Sequence, residues 1–179
     1  AAYAADHDGV GPAIGQPYGA WPNWALVVQK TAGMQGDAPG ELYSQDSILV
    51  CDAAASHYAR EMVRTYAMNA TGHAGDAMGD STDYDAPNVV RPAAIRFDAV
   101  REPSACVLLV DSAVTNVITG APPPNRCASV IDFRQPSHVE HRLGWWHASG
   151  GEKSFNAASF DGAVRAMTEV SERWSEPLP

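Results

Sequence analysis

Lysine is nearly missing from this chain. Of twelve basic residues among 179, only Lys30 and Lys153 are lysines, and twenty-one acidic residues bring the formal net charge to −9. A surface of that sign repels phosphate backbones, which excludes nucleic acid as a partner. No apolar run approaches the roughly 20 residues that span a bilayer, and no basic-plus-apolar leader stands at the start. The opening "AAYAADHDG" has no initiator Met, which predicts an upstream segment removed from the full-length product. C-x-x-C spacing is absent among Cys51, Cys106 and Cys127, so no zinc or redox motif is signalled. One disulfide with a free thiol, or three thiols, both stay open. Also absent are a P-loop, a G-x-G-x-x-G fingerprint and a G-x-S-x-G elbow, so nucleotide binding and hydrolase-type nucleophilic catalysis have no anchor.

What is present describes one globular, loop-rich domain: 45% hydrophobic and 18% charged residues, with 15 glycines and 13 prolines. "AAYAAD" reads as the last turns of a helix, stopped by "DHDGVGP". "WPNWALVVQK" is a short buried helix or turn, and "LYSQDSILVC" reads as a strand ending at Cys51. From Asp52 to Asn69 the pattern is ambiguous. Ala55, Ala59, Met62, Val63 and Tyr66 sit at helical spacing, yet "RTYAMN" reads equally as extended. "SACVLLVDS" is the clearest strand, because four consecutive apolar residues imply burial on both faces. Beyond the break "GAPPPN", "ASVIDF" forms another.

The stretch "FNAASFDGAVRAM", 155–167, carries an Asp-Gly pair between short apolar runs. As a two-residue type I′ turn, Asp161-Gly162 joins a hairpin in which Phe160 faces Ala163, Ser159 faces Val164 and Ala157 faces Ala166. One face then holds Phe155, Ala157, Val164 and Ala166. The rival reading makes Asp161 a helix cap, with Ala163, Met167, Val170 and Trp174 as a stripe. The hairpin is favoured, with a short helix starting near Thr168.

Three constellations bear on chemistry. Asp76, Asp80, Asp83 and Asp85 fall in "GDAMGDSTDYDAP", a flexible loop whose oxygens are candidate calcium ligands, although the spacing is not that of an EF-hand. His138 and His141, beside Glu140, would suit zinc on a helix, but the Pro and Gly around them predict a loop with surface or hydrogen-bonded histidines. Trp145 and Trp146 precede His147 in a Gly/His/Ser loop, with Trp21 and Trp24 near another. Exposed tryptophans would mark a surface for glycan or protein; core packing is their commoner fate.

The order of short motifs is similar to that of a known family. "YAADHDGVGP", "WPNWALVV", "ILVCDAA", "TYAMN", "PSACVLLVDS" and a closing His147…Gly150-Gly151…Asn156…Phe160-Asp161-Gly162…Val164 follow one another over most of the chain. In this the chain resembles the C-terminal globular part of prepilin-like proteins, the type II secretion pseudopilin and type IV pilin relatives abundant in Planctomycetes, Verrucomicrobia and Lentisphaerae. It departs from their pattern at Asp52, where they carry Pro after the cysteine, at Ala163, and in the longer spacing from His147 to Asp161.

The resemblance implies an α+β, pilin-like fold: an N-terminal helix, mostly absent here (its remnant in residues 1–10), packed on an antiparallel β-sheet with long loops formed by residues 11–179. It implies a structural subunit, not an enzyme, of a type IV pilus or a type II secretion pseudopilus-like filament. Its partners would be other pilin or pseudopilin subunits. The head would lie outside the inner membrane, periplasmic or extracellular, and touch the membrane only through the N-terminal helix. No cofactor is required, and calcium would pin the acidic loop. Two alternatives come from the residues: a secreted carbohydrate- or protein-binding module using Trp145, Trp146 and His147, and a metal-dependent hydrolase using His138, His141 and Asp161.

Overall fold

The computed structural model describes residues 2–14, 24–33, 48–58, 61–73, 94–114 and 125–179. The architecture is mixed α+β with strands predominating and few helices. The helices are α1 (Ala2–Ala5), α2 (Trp24–Thr31), α3 (Asp52–Tyr58) and α4 (Pro136–Arg142). The strands are β1 (Val10–Ala13), β2 (Tyr66–Asn69), β3 (Ala94–Arg96), β4 (Val107–Asp111), β5 (Val130–Ile131), β6 (His147–Ser149), β7 (Glu152–Ser159) and β8 (Val164–Met167). None of the described helices is long and apolar enough to cross a membrane.

The main sheet runs β5-β2-β4-β7-β6, with β8 also paired to β7. Every pairing is antiparallel except β2 with β5. β1 and β3 form a separate antiparallel pair. The apolar run of β4 lies at the sheet centre because it is covered on both faces. One core cluster joins Val107 and Val110 to Ala67, Phe133, Phe155, Ala157 and Trp174. The other joins Met68, Ile14, Trp24, Ile95 and Val130, with Leu108 and Leu109 packed against it. Adjacent residues of β2, Ala67 and Met68, therefore serve opposite cores, as the alternation of a strand requires.

Several expectations are revised. Ile48 and Leu49 form a turn, so the strand expected in "LYSQDSILVC" does not reach Cys51; its first part, 42–47, lies outside the described residues. The ambiguous stretch from Asp52 to Asn69 holds both readings in succession, as α3 and then β2. The segment expected to be a loop around His138 is the helix α4. Pro136 sits in its first turn, where a missing N–H costs nothing and a fixed φ favours helix. The short helix beyond the hairpin is a 3-10 turn at Glu172–Ser175, not a helix from Thr168. All three cysteines are thiols.

The hairpin of β7 and β8 is present, with a different register. Ala157 pairs with Arg165 and Phe155 with Met167. The loop has three residues: Gly162 N–H donates to the Ser159 carbonyl at 2.9 Å, Gly162 takes φ +89°, and Ser159 N–H reaches the Ala163 carbonyl. A three-residue hairpin turn wants glycine at that left-handed position. One residue of register moves every side chain of an arm to the other face. Val164, expected beside Phe155, is 67% exposed, and Ala166 is exposed too.

Candidate functional site

The sheet register brings a polar cluster together at the end of β4. Tyr66 pairs with Asp111. Along β7, Ala157 pairs with the penultimate residue of β4 and Ser154 with the first residue of β6. Asn156 therefore stands between the end of one neighbour and the start of another. Its backbone N–H donates to Asp111 Oδ2 at 2.6 Å. His147 opens β6, and its Nε2 lies 3.2 Å from Asp111 Oδ2 and 2.9 Å from Asn156 Nδ2.

Cys51 enters from outside the sheet. It closes the first turn of α3, where its carbonyl accepts from Ala55 N–H. Its own N–H donates to Thr65 Oγ1 at 2.7 Å, just ahead of β2. That bond aims its Sγ at His147 Nε2, 3.4 Å away. Cys51, Asp111 and His147 are the one group of three ligand-bearing side chains found among the described residues, their ligand atoms all within 4.8 Å of one another.

The cluster is dry on the sheet side and open at the histidine. Asp111 is fully buried, Cys51 nearly so, and the His147 side chain is 28% exposed. No lysine or arginine approaches Asp111 in any ion pair among the described residues, and its Oδ1 has no hydrogen-bond partner. Burial raises the Asp111 carboxyl above the usual range, against the lowering effect of the Asn156 N–H and His147. Burial also pushes the Tyr66 phenol up, and the neighbouring Cys51 and Asp111 add to it. Ser154, paired with His147 across the strands, is a second buried group whose hydroxyl is unsatisfied.

The sulfur and the carboxylate both converge on one ring nitrogen. A Cys-His-Asp triad needs the base to use its two nitrogens, one toward the nucleophile and one toward the orienting carboxylate. The cluster lacks that geometry. A point of convergence for several ligand atoms is instead the shape of a metal centre.

Trp145 and Trp146, weighed above as a binding surface against core packing, are half-buried supports for this site. Trp145 packs edge-on against Phe155, with ring centroids 4.8 Å apart. Trp146 lies 4.5 Å from the ring of His57 and 5.2 Å from that of Tyr58, and its Nε1 donates to the Ser112 carbonyl. The approach leaves room for no side chain at 144. A Cβ on Gly144 would stand 2.2 Å from Trp146 Nε1 and 2.8 Å from the Ser112 oxygen. Trp24 is in the core, and Trp21 lies outside the described residues.

The other candidates disperse. His138 is buried, and its Nδ1 accepts the Asp132 backbone N–H at 3.1 Å. His141, on the same helix, is exposed beside Glu140. Asp161 caps the hairpin turn, accepting from Ala163 N–H at 3.0 Å. These three form no ligand group, so the hydrolase built on them has no site. Asp76, Asp80, Asp83 and Asp85 lie outside the described residues. Of the cluster itself, only His147 was a candidate from sequence. Cys51, Asp111 and Asn156 were visible as motif residues, but nothing local in the sequence ties them together.

No family model, no curated protein and no solved structure matches this chain.

Proposed function

We propose that this chain is the globular head of a pilin-like structural subunit, part of a type IV pilus or a type II secretion pseudopilus-like filament. The observation that carries the reading is the meeting of its motifs. Cys51 from "ILVCDAA", Tyr66 from "TYAMN", Asp111 from "VLLVDS", and His147 and Asn156 from the closing signature gather around one point. An ordered set of weak motifs is expected to do this when it encodes one shared architecture. The mixed α+β fold, with a short helix leading into strands, is compatible with that architecture. In this reading the head performs no catalysis, and its partners are other subunits reached through an N-terminal helix.

The test uses the full-length gene product, co-expressed with a prepilin peptidase. Mass spectrometry of its N-terminus should find cleavage ahead of an apolar helix and a methylated first residue. Cleavage by an ordinary signal peptidase, directly before this domain, would sink the reading.

A further inference from the structure

We propose that Cys51, Asp111 and His147 bind a divalent first-row transition metal ion of the zinc class, with Asn156 at the fourth position. The proposal does not depend on the filament reading.

With the Asn156 amide as placed and the Asp111 carboxyl ionised, the contacts around His147 Nε2 cannot all be hydrogen bonds. Three groups approach it: Cys51 Sγ at 3.4 Å, Asp111 Oδ2 at 3.2 Å and Asn156 Nδ2 at 2.9 Å. A ring nitrogen carries either one proton or one lone pair. With the proton it can donate to the carboxylate, and then the amide N–H faces another donor. With the lone pair it can accept from the amide, and then the carboxylate faces a lone pair, buried and without a cation. Either way the carboxylate keeps one oxygen orphaned, at a cost that native interiors rarely carry. A cation at the point of convergence removes both conflicts. It accepts the nitrogen lone pair, the carboxylate and the thiolate together. The Asn156 amide, turned over within the same envelope, then presents its oxygen.

Two of the ligand-to-ligand edges agree with a small tetrahedral ion. Metal–sulfur bonds of ~2.3 Å and metal–nitrogen or metal–oxygen bonds of ~2.0–2.1 Å set ligand-to-ligand edges of roughly 3.5 Å for S···N and 3.3 Å for N···O. The observed edges are 3.4 Å and 3.2 Å. The donor set selects the class. One thiolate, one imidazole and one or two oxygens suit zinc or cobalt, whereas calcium and magnesium require oxygen ligands in larger number. Tyr66, which pairs with Asp111 on the next strand and whose phenol neighbours Cys51, supplies the outer support that such ligands ordinarily have. The ion would tie the start of α3 to β4 and β6.

The experiment titrates cobalt(II) into the chelator-stripped full chain. One equivalent should bind with a thiolate-to-cobalt charge-transfer band and the strong visible bands of tetrahedral cobalt, and zinc should displace it. Zinc at about a hundredfold excess over its Kd should raise Tm by about 5–10 °C. His147→Ala alters a half-exposed side chain, so the fold is expected to survive, and cobalt affinity should fall at least about 100-fold. Cys51→Ser should abolish the charge-transfer band, while Cys106→Ser keeps it. Absence of that band in the unsubstituted chain would overturn the proposal. So would a band that survives Cys51→Ser, undiminished affinity in His147→Ala, or a Tm that responds to calcium and not to zinc.

Discussion

Asp111 and Asp132 are both fully buried carboxylates at the ends of strands in one sheet, and their surroundings are opposite. Asp132 meets a complete set of donors. Arg134 clamps both of its oxygens through Nε and Nη2, and the backbone N–H groups of Arg134 and Gly72 add to the clamp. Burial alone would raise its pKa, but those donors more than offset it and hold the carboxyl below the usual range. Asp111 has one backbone donor, a contested histidine and an orphaned oxygen. A buried charge that is fully answered holds a fold together. One that is answered in part, beside a thiol and an imidazole, marks a place for something else.

The contrast can be broken most directly by substitution. Asp132→Ala should cost about 3 kcal/mol in urea unfolding, because it strips partners from buried backbone donors. Asp111→Asn, measured without metal, should change stability by less than about 1 kcal/mol, since the amide keeps an acceptor for Asn156 and removes an uncompensated charge. Equal losses at the two sites would void the distinction.

Gly144→Ala should cost about 2 kcal/mol by prying Trp146 and the Ser112 carbonyl apart beside Asp111. Its Tm should fall while the acid profile set by Asp132 is unchanged.

The smallest signals are in pH. Burial holds His73 below its ordinary pKa, although its bond to the Leu178 carbonyl opposes the shift. Its contribution is full above about pH 6.5 and is lost as pH falls through the folded value. Asp132 is also depressed, so its contribution is full above about pH 4 and is lost at lower pH. Asp132→Asn should remove the lower component of the acid-unfolding curve and leave the upper one, read by circular dichroism.

How far the sequence reveals this depends on how local each cause is. β4 is legible because its reason, burial on both faces, is written in four consecutive residues. The Asp161-Gly162 hairpin is legible as a turn, but its register is not. Two-residue and three-residue loops use the same Asp-Gly pair, and the choice falls to Phe155 and Met167 packing across the arms. α4 hides behind a proline that breaks helices in their interior and starts them at the first turn. The Cys51–Asp111–His147 site is the least legible. Each residue belongs to a different strand or loop, and only the pairing of β2, β4, β6 and β7 brings them into reach.

The eight residues of β7 pair with β4, β6 and β8, so that one strand joins three others. This sets an order of events during synthesis. β2 and β4 emerge before β7, but the outer edge of β4 has no partner until residues 152–159 have left the ribosome. The core that holds Phe155 and Ala157 and the Asn156 side of the cluster then form nearly together. Protease resistance of the core around Phe155 should thus appear only once residues 152–159 are available.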